Sequence, residues 1–182
     1  AIVTMIAAAH LGHFRNLEEI ATAKAEIFEG IEAGGAALIN RDDAHWKLLE
    51  KLAKAAGVQR VLGFGENARS TYKLISTELH GDQSILSAKI GGKEVEATVG
   101  APGRHMVQNA LAVLGTAHLV GADVGKVAAA LATLQAERGR GQRHVLDLPG
   151  GPVTLIDESY NANPASMRAA LSLLKAASVG QG

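Results

Sequence analysis

Residues 36–64 read AALINRDDAHWKLLEKLAKAAGVQRVLGF, and this stretch alternates between strand-like and helix-like patterns. Residues 36–39 and 60–64 are short, mostly apolar runs of the kind that form buried strands, whereas residues 43–56 have helical periodicity. Strands that alternate with helices are typical of a parallel sheet covered by helices. The stretch therefore predicts an α/β fold built mainly on a parallel sheet with flanking helices.

The residues on either side of this stretch extend the pattern and then change it. Residues 2–6 predict a buried strand, and residues 17–31 predict a helix. Beyond residue 64, three β-like stretches joined by short turns predict a small antiparallel meander, at residues 72–79, 84–90 and 94–99. Two further helices are predicted, at residues 104–120 and 124–134.

A second domain is predicted after the linker-like sequence Gly139-Arg140-Gly141. Residues 143–148 and 153–156 predict a hairpin whose second strand is buried, and residues 165–175 predict a helix. We place the domain boundary near Glu137. One hairpin and one helix cannot bury a core, so we expect the second domain to be truncated and the chain to be a fragment of a longer protein.

The composition limits the classes of function. The chain has 18 basic and 18 acidic residues, so its formal charge is zero and there is no electrostatic case for binding nucleic acid or an anionic membrane. No apolar run approaches the length of a membrane span, and the first residues lack the basic segment of a signal peptide. The absence of cysteine excludes disulfides and thiolate metal sites, and it fits a cytosolic protein.

The junction between the last predicted strand and helix is a candidate binding site. Residues 157–164, Asp-Glu-Ser-Tyr-Asn-Ala-Asn-Pro, hold two carboxylates and two amides. In open α/β sheets, ligands bind at the edge where strands end and helices begin. Asn163 and Pro164 also suit the cap and the first residue of a helix, so a capped turn without any ligand explains the same residues.

Lys24 is a candidate for unusual lysine chemistry. Its helical neighbours Leu17, Ile20, Phe28 and Ile31 are all apolar. A lysine in such a stripe either extends its ammonium group outward to water or is partly buried as the neutral amine. A neutral amine is nucleophilic, and it could form a Schiff base or a carbamate with carbon dioxide.

Other candidates follow strands or open a helix. His10 follows the first strand and suits a ligand or an acid–base group, although its His-x-x-His pattern with His13 lacks a third zinc ligand. Residues 63–68 match the loose dinucleotide pattern G-x-G-x-x-A, which requires a helix to begin there; the residues that follow favour a strand. His105 and Asn109 share a face of a helix start that suits an anion or a nucleobase edge, but capping and packing explain them too.

Six motifs occur in the order found in one enzyme family, and the chain resembles the Mur ligases over essentially its whole length. These motifs are Ala9-His10-Leu11-Gly12, Ala23-Lys24-Ala25-Glu26-Ile27-Phe28, Leu38-Ile39-Asn40-Arg41-Asp42-Asp43, Gly103-Arg104-His105 with Asn109-Ala110-Leu111-Ala112, Gly139-Arg140, and residues 157–164. Mur ligases are ATP-dependent amide-forming enzymes of peptidoglycan synthesis. The resemblance implies a central ATP-binding domain at residues 1–137, without its phosphate loop, and the start of a Rossmann-like C-terminal domain at residues 138–182.

The resemblance also implies a substrate and a role for individual residues. The motif at residues 159–164 resembles the branch that joins D-alanyl-D-alanine to UDP-N-acetylmuramoyl-tripeptide through an acyl phosphate. Lys24 matches a lysine carried as a carbamate that offers oxygens to Mg²⁺, and His10 matches a histidine near the second Mg²⁺. The cofactor-binding matches are His105 and Asn109 at the adenine, Arg140 reaching ATP from the linker, Glu158 at the ribose, and Asn161.

Several expectations and alternatives follow from this resemblance. The phosphate loop of the family lies upstream, so we expect this piece to be inactive by itself and the full-length protein to be a monomeric ligase of the bacterial cytoplasm. Met5 and Met106 stand where relatives often have Asn, and Arg15-Asn16 replaces a frequent Gly-Ser. One alternative is folylpolyglutamate synthase, a relative with the same chemistry. Another is a non-catalytic, nucleotide-binding Rossmann-like module, which is favoured if a helix begins at residues 63–68.

Overall fold

The computed structural model describes residues 1–8, 14–160 and 164–176. Its main sheet has six strands in chain order, β1 to β6, in which β1 to β4 pair in parallel and β4 to β6 pair antiparallel. The strands are Ile2–Val3, Ala36–Asn40, Arg60–Gly65, Tyr72–Leu79, Ser84–Ile90 and Lys93–Val99. The predicted parallel sheet and antiparallel meander are therefore confirmed, and they form one continuous sheet.

The β3–β4 connection joins the parallel and antiparallel parts without a helix. β3 ends at Gly65, β4 begins at Tyr72, and only Phe64 pairs with Tyr72 and Gly65 with Lys73. Parallel neighbours usually need a crossover of about a dozen residues or more. Here the short loop at residues 66–71 is sufficient, because the first residues of β4 lie beside the last residues of β3.

In the part of the chain that the structure describes, four α-helices cover the main sheet: α1 Leu17–Ala25, α2 Trp46–Ala55, α3 Arg104–Leu119 and α4 Val124–Leu131. Buried side chains pack on both faces of the sheet. Along β2, Ala37 and Ile39 lie in the core with α1 and α2, whereas Leu38 lies in the core with α3 and α4. Successive strand residues point to opposite faces, so the two helix pairs sandwich the sheet.

Two of the predicted elements near the N-terminus are wrong in length. The predicted strand at residues 2–6 ends at Val3, because the Ile6 amide donates to the Asp43 carboxylate at 2.7 Å instead of to a neighbouring strand. The predicted helix at residues 17–31 is α-helical only to Ala25, and a 3₁₀ helix, Glu26–Gly30, follows it. This tighter turn places Phe28 fully inside the core.

The second predicted unit is a hairpin and a helix, and its second strand is not buried. β7 Gln142–Leu148 and β8 Gly151–Asp157 form a separate antiparallel sheet, and α5 is Pro164–Ala176, which begins at Pro164 as predicted. Val153 and Leu155 are about half exposed, at 48% and 50%. The prediction of a buried strand is therefore wrong, because a two-stranded sheet by itself shields neither face.

The hairpin contacts the main sheet directly. The Arg143 guanidinium in β7 donates to the carbonyl oxygen of Gly81, which lies in the turn between β4 and β5. Within the part of the chain that the structure describes, none of the helices has the length and apolar character needed to span a bilayer.

Gly115 in α3 allows a direct test of packing between this helix and β4. A Cβ atom at this position would lie 2.6 Å from the ring of Tyr72, which is only 2% exposed. We therefore expect Gly115→Ala to lower the free energy of unfolding by about 1–3 kcal/mol, measured by urea titration with circular dichroism detection.

The matched control is Gly125→Ala in α4. The nearest atom to a Cβ there is an Asp123 carboxylate oxygen at 3.3 Å. Alanine is the better helix former by up to about 1 kcal/mol, so this variant should be neutral or slightly stabilised. Equal stability changes in both variants would contradict the packing explanation.

Candidate functional site

Asn40, Asp42 and Asp43 lie at the end of β2. Their side chains hold the chain segments that follow the two neighbouring strands, β1 and β3. The Asn40 amide donates to the Thr4 carbonyl at 3.0 Å, and Asp43 accepts the Ile6 amide. On the other side, the two Asp42 carboxylate oxygens accept the backbone amides of residues 66 and 67, at 2.7 and 2.9 Å. The carboxyl edge of the parallel strands is therefore tied together by side chains of one short motif.

The loop after β3 has no helix, so the Rossmann-like alternative is contradicted. β3 continues to Gly65, and the next regular element is the strand β4. The amides that a dinucleotide-binding turn would offer to a phosphate are bonded to Asp42 instead. Gly65 has φ +132°, and a Cβ atom there would collide with the Asp42 carboxylate.

The start of α3 is held from two sides. The amide of Gly103, which has φ +113°, donates at 3.0 Å to the hydroxyl of Ser84, and Ser84 is fully buried. Arg104, the first residue of α3, forms an ion pair with Glu66. His105 and Asn109 lie in the first turns of this anchored helix, and both are exposed.

The linker at residues 139–141 and the loop after β8 form one hydrogen-bonded unit. The Gly139 amide donates to the Asp157 carboxylate at 3.1 Å, and the Tyr160 amide donates to the Gly139 carbonyl at 3.0 Å. Hydrogen bonds from the side chain and the amide of Ser159 lower the pKa of Asp157, which keeps this carboxylate ionised as an acceptor. The linker is thus fixed against the strand-to-helix junction.

Tyr160 is a residue of this site that the sequence reasoning did not select. The Arg140 guanidinium lies 4.1 Å from the centroid of the Tyr160 ring, a cation–π arrangement that fixes the plane of the guanidinium. The two residues are far apart in sequence, so no local pattern joins them. The available signal was the position of Tyr160 inside the motif at residues 157–164.

The Glu158 carboxylate, which follows β8, lies close enough to His105 of α3 to influence its pKa. The surroundings of the His105 ring partly desolvate it, which lowers its pKa, and the Glu158 carboxylate opposes this by attracting the charged form. The structure therefore places Arg140 on a linker that is hydrogen-bonded to the strand end carrying Glu158, and it places His105 within electrostatic range of Glu158.

This arrangement predicts the titration of His105. Replacing Glu158 by glutamine removes the opposing contribution, so the pKa of His105 should fall further below its usual value. Because the folded-state pKa is lowered, the contribution of His105 to stability is present above the unfolded value of about 6.5 and is lost as the pH falls through the folded pKa. NMR titration of the imidazole measures the shift, and Glu96→Gln on β6 is the control; an unchanged His105 pKa in Glu158→Gln would contradict this influence of Glu158.

Lys24 is exposed in the last turn of α1, which agrees with the outward-pointing alternative. Its stripe neighbours Ile20 and Phe28 are buried. His10 and Asn161 lie outside the described residues, so their predicted roles stay predictions, as does the carbamate on Lys24.

The described residues do not form a magnesium site by themselves. Over residues 1–8, 14–160 and 164–176, no three His, Asp or Glu side chains are grouped so that they could hold a metal ion. The two acidic residues at the sheet edge, Asp42 and Asp43, use their carboxylate oxygens as acceptors for backbone amides. Magnesium bound through Lys24 and His10 therefore stays a prediction.

Comparison with known proteins places this architecture in a family. Residues 1–117 match the Mur ligase middle domain. The chain belongs to the Mur ligase family. Over 174 residues it is 36% identical to the UDP-N-acetylmuramoyl-tripeptide–D-alanyl-D-alanine ligase of Escherichia coli (strain K12), a match that covers 96% of this chain and 37% of that ligase.

Two further Mur ligases are similar to this chain over almost its whole length. The UDP-N-acetylmuramate–L-alanine ligase of Streptomyces avermitilis is 31% identical over 97% of this chain and 37% of its own length. A crystal structure of MurF from Acinetobacter baumannii matches with a TM-score of 0.87 and 28% identity, covering 98% of this chain and 37% of that one. The predicted fold class and family are confirmed, and the chain spans a little over a third of the length of these Mur ligases.

Proposed function

We propose that this chain forms part of the nucleotide site of a longer ATP-dependent ligase of peptidoglycan synthesis. That ligase adds D-alanyl-D-alanine to UDP-N-acetylmuramoyl-tripeptide in the bacterial cytoplasm and acts as a monomer. The observation that carries the proposal is that the Arg140 linker is bonded to the strand end carrying Glu158, and that Glu158 lies within electrostatic range of His105, in a chain of the Mur ligase family. Residues 1–137 would be the central domain, and residues 138–182 would begin the C-terminal domain.

The chemistry of these side chains suits the parts of a nucleoside triphosphate. The exposed His105 ring and Asn109 amide offer hydrogen bonds to a base edge. The Glu158 carboxylate is an acceptor for ribose hydroxyls, and the planar Arg140 guanidinium suits the bidentate binding of phosphate oxygens. Asn161 follows in the same loop and is proposed to assist the nucleotide.

The proposed reaction proceeds in two steps. An oxygen of the tripeptide carboxylate attacks the γ-phosphorus of ATP, ADP leaves, and an acyl phosphate forms. The amine nitrogen of D-alanyl-D-alanine then attacks the acyl carbon, phosphate leaves, and a proton is lost from nitrogen. Arg140 would offset negative charge on the phosphates during the first step; Lys24, as a carbamate, and His10 are the proposed magnesium ligands.

The Mur ligases to which this chain is similar differ in the acceptor that their names give. The similarity to an L-alanine ligase at 31% identity means that this part of the fold is shared between acceptor specificities. The higher identity to the E. coli ligase and the motif at residues 159–164 favour the dipeptide. We therefore propose the dipeptide as the acceptor.

Assays of the complete protein that carries this chain test the proposal. ATP-dependent phosphate release and product mass are measured with UDP-N-acetylmuramoyl-tripeptide plus D-alanyl-D-alanine, with UDP-N-acetylmuramate plus L-alanine, and with a folate plus glutamate. Product from the first pair alone supports the proposal. Product from another pair alone reassigns the acceptor, and no ATP turnover with any pair refutes a ligase. The 182-residue chain by itself should show no turnover.

A further inference from the structure

The Asp42 carboxylate is used in an unusual way for an acid at a sheet edge. Its two oxygens accept the consecutive amides of Glu66 and Asn67, which lie in the loop after β3. This is how a backbone turn binds a small anion, but here the anion belongs to the protein. Asp42 is itself held in place, because its own amide donates to the Asn40 side chain at 2.9 Å.

The loop that Asp42 holds leads directly to α3. Glu66, whose amide is bonded to Asp42, forms the ion pair with Arg104, the first residue of α3. His105 is the next residue of this helix. A continuous series of contacts therefore runs from the end of β2, through the loop after β3, to the helix start at which the nucleotide is proposed to bind.

We infer that Asp42 is a positioning residue for nucleotide binding. It does not touch the nucleotide; it holds the loop that carries Glu66, and Glu66 pairs with Arg104, the first residue of α3. Without Asp42, two amides lose their acceptor and the loop can move, so Glu66 is no longer held beside Arg104 at the start of α3. This inference rests on the proposed function, because it requires that the residues at the start of α3 bind ATP.

The test compares KM for ATP with kcat in the complete ligase. Asp42→Ala should raise KM for ATP about tenfold and leave kcat within about twofold, since Asp42 is not at the reacting atoms. Glu66→Gln should raise KM in the same direction. Because both residues act through one loop, the double variant should show a smaller rise than the product of the two single effects.

The control separates positioning from general stabilisation. Asp123 also accepts a backbone amide, that of Lys126 at 3.1 Å, but it caps α4. Asp123→Asn should leave KM for ATP unchanged. If Asp42→Ala does not fold, as judged by circular dichroism, Asp42→Asn keeps one acceptor oxygen and is measured instead.

The outcomes distinguish this inference from the proposed function. If the unmodified protein makes no product with ATP, the proposed function is refuted. If it is active and a folded Asp42 variant has an unchanged KM for ATP, or loses kcat alone, the positioning role is refuted while the function stands. A raised KM together with the non-multiplicative double variant supports the role.

Discussion

Lys24→Arg is expected to lower kcat of the complete ligase by about a hundredfold or more, a loss of the size seen when an electrostatic group is removed from an active site. The resemblance implies that Lys24 acts as a carbamate, which replaces a positive charge by a negative one and adds two oxygens. Arginine has a similar length and is permanently charged, but it cannot form the carbamate. Lys24 is exposed at the end of α1, so the exchange should leave the core unchanged.

The matched control for Lys24 is Lys54→Arg. Lys54 lies in the last turn of α2, is exposed, and pairs with Glu50 at 2.8 Å, an interaction that arginine can also make. Its kcat should be unchanged. Incorporation of ¹³C-labelled carbon dioxide, followed by NMR, reports the carbamate directly. A Lys24→Arg enzyme with nearly full kcat, or an unmodified enzyme without the carbamate signal, would contradict this role.

Arg140→Lys is expected to lower kcat/KM for ATP by about 10- to 100-fold, which corresponds to the loss of one or two charged hydrogen bonds. Lysine keeps the charge, but it loses the planar fork and the stacking on the Tyr160 ring. Tyr160→Ala should lower kcat/KM by about three- to tenfold, because only the support of the guanidinium is lost. Tyr160→Phe keeps the ring and should stay within about twofold.

The control for Arg140 is its exposed neighbour Arg138, changed to lysine. Steady-state kinetics with varied ATP, at saturating acceptor, measure all four variants. If Arg138→Lys and Arg140→Lys have the same effect, the loss comes from the overall charge of the linker and not from the stacked guanidinium. If Tyr160→Phe is as impaired as Tyr160→Ala, the hydroxyl and not the ring is the important group.

Local sequence patterns predicted the bounds of strands and helices well where tertiary packing favours the same structure as the local pattern. The strands at residues 72–79 and 84–90 have the predicted bounds, and α3 and β6 differ from prediction by one residue. The predictions failed where a distant side chain competes with the local structure. The strand β1 ends early because Asp43 captures the Ile6 amide, and β8 is exposed because burial depends on what packs against a strand.

The sequence by itself determined the family, the alternation of strands and helices, and the residues to suspect as nucleotide ligands, because these depend on periodicity and on motifs that are contiguous in the chain. Only the tertiary structure decided that Asp42 holds the loop after β3, that Tyr160 supports Arg140, and that Glu158 comes within electrostatic range of His105. Each of these interactions joins residues from separate parts of the chain. Which residues become partners depends on which loops the sheet brings to the same edge. That is a property of the packed chain, and no single stretch of sequence contains it.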